Sequence, residues 1–273
     1  MNSLISDGCN VIFAIPQSTT ALCPEIAKAL SHNILVITDD TPVACPASIN
    51  SSFSEFESAK DMASQFAKAL GGKGNIIAET GIPGAVGAQT TINGFKAGLP
   101  HGITMNLVAG DWSDATAETA TTTYLQTHPA TVDGILDGSG MMVGAELALQ
   151  QAGRPMAKAS LYEDECSAMA LWKQHPGLVV STEDQGPELA AYESFVVAGH
   201  LLAGAKPVVN TLFYPIPGPT QKTFSKWYKP GWTVKSTCFA TPPASAIPPD
   251  SYYSSLFKGG SKPKVTLKIV SVG

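Results

Sequence analysis

Two pairs of acidic residues each follow a segment of the same design: strand, polar loop, helix, strand. The first pair is Asp39-Asp40 and the second is Glu163-Asp164. An ionised carboxylate accepts two hydroxyl protons at once in charge-assisted hydrogen bonds, so acids at matched ends of a repeat suit a polyhydroxyl ligand. The doubled segment predicts two similar lobes that face each other across a cleft.

The same residue types have an ordinary explanation, because acidic side chains are frequent in solvated loops and at helix caps. Their matched position in the two segments favours ligand contact for Asp40 and Asp164. For Asp39 and Glu163 the sequence leaves ligand contact and a capping role open. Tyr162, directly before the second pair, is a candidate for stacking on the apolar face of a ligand, with packing as the alternative.

A glycine-rich loop at 138–144, GSGMMVG, follows a strand and opens a helix. The acidic pair about 20 residues further on is what a dinucleotide-binding fingerprint requires. The spacing differs from GxGxxG, and a turn of small residues at a strand–helix junction explains it equally well. An NAD(P)-dependent oxidoreductase is therefore kept as an alternative to a binding protein.

Strand and helix patterns alternate through the first two hundred residues. Apolar residues recur at helical spacing from about Phe53 to Leu70, and further helices are predicted near 90–99, 115–128 and 188–204. Residues 41–52 are predicted to form a loop. Because strands that alternate with helices form parallel sheets, we predict an α/β fold with two Rossmann-like lobes, mostly parallel sheets and helices on both faces.

The predicted boundaries divide the chain into three parts. Residues 1–52 and 185–210 form an N-terminal lobe, and residues 53–184 form a C-terminal lobe. Residues 211–273 are rich in proline and aromatic residues and are predicted to wrap over the lobes with aromatic anchors. This last part ends on a strand-like sequence, VTLKIVSV.

Composition narrows the possible ligands. The chain carries a net charge of −5, and its 17 basic residues include one arginine, Arg154. Arginine is the usual reader of phosphate groups, and nucleic-acid surfaces normally carry a basic patch, so nucleic acid and phosphorylated ligands are disfavoured. No pattern of metal ligands is present, and neither a metal nor a cofactor is expected.

The five cysteines form no CxxC pair, and their odd number leaves at least one thiol free. We interpret them as small buried hydrophobic residues. No apolar run reaches the roughly 20 residues that a membrane span requires, so no direct membrane insertion is expected. The N-terminus shows no signal-peptide pattern.

Three segments resemble the periplasmic sugar-binding proteins of the ribose/galactose type, the type I substrate-binding proteins of ABC transporters. They are Leu4–Val43, residues 71–99 with the turn GIPG and the pair Gly94-Phe95, and residues 128–154. The run LYEDECSAMALWKQHP is similar to a subgroup of the same family. The resemblance covers about residues 4–212, and the order and spacing of the motifs make it specific.

The resemblance implies a set of ligand-binding residues. Asp40 corresponds to the family's sugar-binding aspartate, Asp164 to the acidic position of the second copy, and Gln185 to the glutamine near the hinge. Gln89 stands where an arginine follows the GxPG turn, and Asp137 lies just before the position of an Asn–Asp pair. Thr41 replaces a second arginine. The predicted contacts are Asp40, Asp164, Gln89, Asp137 and Gln185, with Asp39, Glu163 and Tyr162 as further candidates.

The resemblance also implies a function. It predicts a non-catalytic, monomeric carbohydrate-binding component of an ABC transporter, which holds a sugar or polyol by hinge closure and delivers it to a permease. The resemblance also implies that the protein is periplasmic, or extracellular and associated with the membrane. Met1 matches a position within the family's second helix, so the first strand–helix unit is expected to be missing, with impaired stability or binding. The ligand-sensing core of a lactose-repressor-type regulator shares the fold and remains an alternative.

Overall fold

The computed structural model describes residues 1–260, and the predicted strand VTLKIVSV lies outside them. The chain forms two compact units. The first contains Met1–Ser54, Pro187–Pro215 and the described residues from Ala244 onward, and the second contains Glu55–Gly186 and Ile216–Pro243. In the sequence prediction the chain passes from one lobe to the other at 52/53 and 184/185. In the structure it passes from one unit to the other two residues later in each case.

The first unit is built on a parallel sheet with the strand order β1-β2-β3-β10. Its strands are β1 (Val11–Ala14), β2 (Leu35–Asp39), β3 (Ile49–Ser52) and β10 (Thr211–Phe213). A two-residue antiparallel pair joins β9 (Lys206–Pro207) to β11 (Phe257–Lys258). The helices are α1 (Asn2–Ser6), α2 (Cys23–Ser31), α8 (Pro187–Leu202) and α10 (Asp250–Ser255).

Apolar residues on both faces of this sheet explain why helices cover both faces. Val36 on β2 packs with Ile26 of α2, whereas its neighbour Ile37 packs with Val197 of α8. Successive side chains of a strand point to opposite faces, so this apolar pair requires cover on each side.

The sequence prediction of a loop over residues 41–52 was wrong at its end, because Ile49–Ser52 is the strand β3. Its residues Asn50, Ser51 and Ser52 are polar and at most 1% exposed. Asn50 Nδ2 donates to Thr211 Oγ1 at 2.9 Å, and Asn50 Oδ1 accepts from the Val43 backbone N–H at 3.0 Å. Hydrogen bonds replace apolar packing at Asn50, and three of the four residues of β3 are polar, so the strand gives only a weak hydrophobic signal.

The second unit is built on a five-stranded parallel sheet with the order β5-β4-β6-β7-β8. Its strands are β4 (Gly74–Thr80), β5 (Ile103–Ala109), β6 (Gly134–Leu136), β7 (Lys158–Leu161) and β8 (Val179–Thr182). The helices are α3 (Glu55–Ala69), α4 (Val86–Gly98), α5 (Asp114–Thr127), α6 (Met142–Gln151), α7 (Cys166–Gln174) and α9 (Phe224–Trp227).

Small and apolar residues bring these helices close to the sheet and to each other. Ile77 and Ile135 pack with Leu149 and other residues of α5 and α6 in one buried cluster. The helices α3 and α4 touch at Gly94, where an added Cβ would lie 2.6 Å from the Phe56 carbonyl oxygen. The prediction of an α/β fold with largely parallel sheets and helices on both faces is confirmed.

Residues 211–260 are divided between the two units. Thr211–Phe213 pairs with β3, and the Tyr253 hydroxyl of α10 donates to Glu193 Oε1 of α8 at 2.6 Å, both within the first unit. Residues 216–243 belong to the second unit, where Phe239 forms a backbone bridge with Glu165. Specific pairing with each unit therefore accounts for the fold of this segment.

The interpretation of the cysteines as small buried hydrophobic residues was wrong for four of the five. Cys23 is bonded to Cys45 in the first unit, and Cys166 is bonded to Cys238 in the second. Cys9 remains a free thiol. The sequence separations of 22 and 72 residues show no local pattern, so only the fold reveals the partners.

Within residues 1–260, no helix has both the length and the apolar character that a membrane span needs.

Candidate ligand-binding site

All strands of the first unit's main sheet are parallel, so the residues that follow them meet at one edge. Asp39 ends β2, Phe53 follows β3 and Tyr214 follows β10. The rings of Phe53 and Tyr214 lie 6.2 Å apart at this edge. Open parallel sheets bind their ligands at the carboxyl ends of the strands, and this edge is therefore the candidate site of the first unit.

Asp39 is buried, and its carboxylate accepts hydrogen bonds from inside the unit. Its Oδ1 accepts from the Asp40 backbone N–H at 2.8 Å and from the Tyr214 hydroxyl at 3.3 Å. Burial raises the pKa of Asp39 from 3.8 to about 7, against the lowering effect of these hydrogen bonds. Asp39 therefore supports the loop, and Asp40 is its more exposed neighbour.

Asp40 has a left-handed backbone with φ of +61°. This conformation costs energy in any residue with a Cβ, although aspartate adopts it more readily than most. The backbone N–H of Asp40 donates to the Asp39 carboxylate, and the carbonyl oxygen of Asp40 accepts from the Ser52 hydroxyl. Burial raises the pKa of Asp40 as well. Both ends of the residue are thus fixed by the loop, and its side chain remains half-buried.

A second carboxylate lies behind Asp39. Glu193 of α8 is 1% exposed and accepts from Tyr253. Burial and, to a smaller extent, the nearby charge of Asp39 raise the pKa of Glu193 to about 7, against the lowering effect of the hydrogen bond from Tyr253. Asp39 and Glu193 therefore form a buried acidic pair, with a tyrosine hydroxyl donating to each.

The second unit also gathers acidic residues at the carboxyl edge of its sheet. Asp137 follows β6, Glu163 and Asp164 follow β7, and Asp184 follows β8. Asp137 is fully enclosed by its own loop: Oδ1 accepts from the backbone N–H groups of Ser139 and Met141 at 3.2 and 3.0 Å. Its Oδ2 accepts from the Tyr162 N–H at 3.2 Å, so both oxygens of Asp137 are used to hold the loops together.

Glu163 and Glu165 both approach Gly140. An added Cβ at Gly140 would lie 3.1 Å from Glu163 Oε2 and 3.0 Å from Glu165 Oε1, and φ there is +68°. Glu163 also accepts from the Ser139 hydroxyl. Burial, followed by the charges of Asp114 and Glu163, raises the pKa of Glu165 well above its ordinary value.

Asp164 and Asp184 approach Gly186 in the same way. An added Cβ at Gly186 would lie 2.7 Å from Asp164 Oδ1 and 2.9 Å from Asp184 Oδ1. The two carboxyl groups are 1% and 0% exposed. Gln185 lies between them in the chain, and within residues 1–260 its buried Oε1 has no hydrogen-bond partner. A buried amide oxygen without a partner costs free energy that a donor on a ligand would recover.

Two residues that were predicted to contact the ligand, Tyr162 and Gln89, have surroundings unlike those of the acidic residues. Tyr162 is fully buried, and its hydroxyl donates to the Glu55 carbonyl oxygen at 3.3 Å, which favours packing over stacking on a ligand. Gln89 is exposed on α4, where its Nε2 donates to Asn93 Oδ1 at 3.0 Å. The carboxyl edge of the second unit thus gathers Asp137, Tyr162, Glu163, Asp164 and Gln185, and no described contact joins Gln89 to them.

The glycine loop shows why a dinucleotide is disfavoured. The carboxyl groups of Glu163 and Glu165 occupy the space beside Gly140, where a phosphate group would have to lie. Asp114 Oδ1 accepts from the Gly144 N–H at 2.8 Å, so a carboxylate already occupies the first turn of α6. The glycines serve close packing instead, because an added Cβ at Gly144 would lie 2.0 Å from the Asp114 carbonyl oxygen.

Sequence reasoning missed four residues at these edges. Glu165 directly follows the predicted Asp164 and Asp184 directly precedes the predicted Gln185, and the acidic runs EDE and ED were available signals. Tyr214 was missed because β10 was not predicted, and Glu193 lies in a helix without any marking pattern. Within residues 1–260, no group of three or more histidine, cysteine or acidic residues is arranged to hold a metal ion.

Comparison with known proteins identifies the family. The sequence model of the periplasmic binding protein domain matches residues 1–206. The chain belongs to the periplasmic binding protein domain family. The prediction of this family from the sequence motifs is confirmed, and the family consists of substrate-binding proteins.

Individual relatives are distant. The chain is 26% identical over 159 residues to a xylitol-binding protein of Mycolicibacterium smegmatis, an alignment that covers 56% of this chain and 46% of that protein. The aligned region is thus less than half of that relative's length.

Solved structures share the fold. An ABC transporter solute-binding protein of Thermobispora bispora has a TM-score of 0.78 at 22% identity, covering 93% of this chain and 77% of that one. A periplasmic solute-binding protein of Actinobacillus succinogenes with bound D-allose has a TM-score of 0.71 at 21% identity, covering 83% and 82%.

Proposed function

We propose that this chain is the sugar- or polyol-binding component of an ABC transporter and has no catalytic role. The observation that carries the proposal is the clustering of acidic groups and an amide at the carboxyl edges of parallel sheets in a member of this family. Carboxylates and amides are the groups that hydrogen-bond to ring hydroxyls. The xylitol-binding relative and the allose-bound structure support this ligand class.

Within this proposal, Asp40 in the first unit and Asp164 with Gln185 in the second contact ligand hydroxyls. Asp39 and Asp137 position these loops, because their oxygens accept hydrogen bonds from loop N–H groups. Glu163 is a further contact through its carboxylate near Gly140. Gln89 and Tyr162 remain candidates with less support, since one is bonded to Asn93 and the other is buried.

Calorimetric titration of the full chain with a panel of neutral monosaccharides and polyols, including D-allose and xylitol, tests the ligand class. We expect at least one compound to bind saturably and to raise the melting temperature. If no member of the panel does either, the proposal is wrong.

Matched variants test the site. Asp164→Asn and Asp40→Asn are each expected to weaken binding by about tenfold or more, because the loss of a charge-assisted hydrogen bond costs roughly 1.5–3 kcal/mol. Glu57→Gln is the control, because Glu57 is exposed and pairs with Lys60 at 3.0 Å. Unchanged affinity in Asp164→Asn would remove this residue from the site but leave the function intact.

The proposal extends to compartment and partner. The family is of the periplasmic type, and two disulfides fit an oxidising compartment outside the cytoplasm. We propose that the chain delivers its ligand to the membrane subunits of an ABC permease. Fractionation of host cells followed by thiol labelling is expected to find the chain outside the cytoplasm, with one reactive thiol.

A further inference from the structure

The segment Ile216–Pro243 has a charge balance unlike that of the rest of the chain. It contains four lysines, at positions 222, 226, 229 and 235, and no acidic residue. The chain's other 13 basic residues are outnumbered by all 22 acidic ones. A local charge of +4 on a protein with a net charge of −5 is therefore concentrated on one segment of the second unit.

The four lysines are on the surface. Each is exposed, and within residues 1–260 the only salt bridge joins Lys60 to Glu57, in another part of the unit. Lys226 lies in α9, and Lys222 lies in the turn directly before the N-cap residue Thr223 of this helix. Phe224 and Trp227 of the same helix are buried.

Aromatic side chains accompany these lysines. The ring centroids of Trp172 and Phe224 are 4.9 Å apart, those of Phe224 and Tyr228 are 5.3 Å apart, and those of Tyr228 and Trp232 are 5.5 Å apart. Trp172 lies in the core of the unit, whereas Tyr228 and Trp232 are partly exposed. The row therefore leads from the core to the surface beside Lys229 and Lys235.

The segment is held firmly to the unit. The Cys166–Cys238 disulfide joins it to the start of α7, and the Cys166 N–H donates to the Cys238 carbonyl oxygen at 2.8 Å. The Ala240 N–H donates to the Asp164 carbonyl oxygen at 2.9 Å. These links present the lysines and aromatics as a fixed surface, which we call the basic–aromatic surface (Lys222, Lys226, Tyr228, Lys229, Trp232 and Lys235).

We propose that the basic–aromatic surface docks peripherally on an anionic phospholipid bilayer. Lysines within reach of a negatively charged membrane are attracted by its surface potential, and tryptophan and tyrosine prefer the boundary between headgroups and acyl chains. The excess of acidic residues elsewhere in the chain would orient this surface toward the membrane. The inference does not depend on the proposed sugar binding, since docking is measured without any sugar.

Other partners fit this surface less well. Protein–protein interfaces are enriched in arginine and depleted in lysine, whereas all four cations here are lysines. Nucleic-acid surfaces also favour arginine, for its bidentate contacts with phosphate and bases. A lipid headgroup layer demands no fixed hydrogen-bond geometry, and four exposed lysines suit it.

Vesicle sedimentation of the full chain tests the proposal, with phosphatidylcholine vesicles prepared with and without phosphatidylglycerol. We expect binding only to the anionic vesicles and loss of binding as salt is raised. A variant with Lys222, Lys226, Lys229 and Lys235 all changed to glutamine is expected to bind at least about tenfold more weakly. The matched control changes four exposed lysines elsewhere, at positions 68, 73, 96 and 206, and is expected to bind almost as wild type does.

Tryptophan emission gives a second readout that needs no multiple variant. We expect a blue shift when wild-type protein meets anionic vesicles and a smaller shift in Trp232→Phe. Equal loss of binding in the two lysine variants would overturn the proposal, because only net charge would then matter. Binding to soluble polyglutamate but not to vesicles would also overturn it, in favour of an acidic protein partner.

Discussion

Asp39 and Asp40 are neighbours in the sequence but have different surroundings in the structure. Asp39 faces the interior, where Tyr214 donates to it and Glu193 lies nearby, whereas Asp40 lies at the half-buried end of the strand. The sequence could select this pair from its matched position in two repeats. It could not divide the roles, because strand direction and the neighbouring β10 determine which carboxylate faces inward.

The raised pKa of Asp39 has a consequence for stability. A carboxyl group with a folded-state pKa of about 7 and an unfolded value of 3.8 binds its proton more tightly in the folded state. Its contribution to the free energy of unfolding is therefore greatest below pH 3.8, falls as the pH rises from 3.8 to about 7, and is constant above that. The slope for one such group is at most about 1.4 kcal/mol per pH unit.

We predict that Asp39→Asn makes the free energy of unfolding depend less steeply on pH between pH 5 and 7. The slope should change by up to about 1.4 kcal/mol per pH unit, which corresponds to one bound proton. Urea unfolding of wild type and variant at several pH values measures this slope. Asp7→Asn, at an exposed position, is the control and should keep the wild-type slope. Parallel slopes for Asp39→Asn and wild type would show that Asp39 is already ionised at pH 5.

At the scale of the elements, the sequence did not reveal the two disulfides. In each disulfide, one cysteine is the first residue of a helix that begins at the carboxyl edge of a sheet. Cys23 begins α2, and Cys166 begins α7. Cys45 lies in the loop that follows Asp40, and Cys166 lies two residues after Asp164. Both disulfides therefore restrain loops that carry proposed ligand contacts.

We predict that removing either disulfide destabilises its unit and weakens ligand binding. Loop-closure entropy gives roughly 3 kcal/mol for the Cys23–Cys45 link and roughly 4 kcal/mol for the Cys166–Cys238 link. Urea unfolding of Cys23→Ser/Cys45→Ser and Cys166→Ser/Cys238→Ser measures these losses, and calorimetry measures the affinity. Cys9→Ser is the control because Cys9 is free. Full stability in both double variants would mean that backbone contacts alone hold these loops.

At the scale of the whole molecule, β1 is an edge strand. Within the described part of the chain it pairs with β2 alone, and residues 8–24 around it contain no charged residue. Ile15 beyond its end is 60% exposed, and Phe195, whose ring lies 4.7 Å from that of Phe13, is 50% exposed. Edge strands without charged side chains are sites of edge-to-edge association.

We predict that the protein is monomeric when dilute but self-associates weakly as its concentration rises. Ile15→Lys is expected to suppress this association, because a charge at the edge opposes pairing with another strand. Sedimentation velocity over a concentration series measures it. Ile82→Lys, at a 48% exposed position in the second unit, is the control. Association that both variants reduce equally would have a cause other than the edge of β1.

The sequence by itself determined the α/β class and the family, since hydrophobic periodicity and motif spacing are local properties of the chain, and it predicted most residues of the candidate site. Only the tertiary structure revealed β3, because its buried Asn50 is hydrogen-bonded to Val43 in the preceding loop and to Thr211 on the distant strand β10. The tertiary structure alone paired the cysteines and placed Glu193 and Tyr214 beside Asp39. Glu193 and Tyr214 are each more than 150 positions from Asp39 in the sequence, and such contacts depend on the packing of the whole unit.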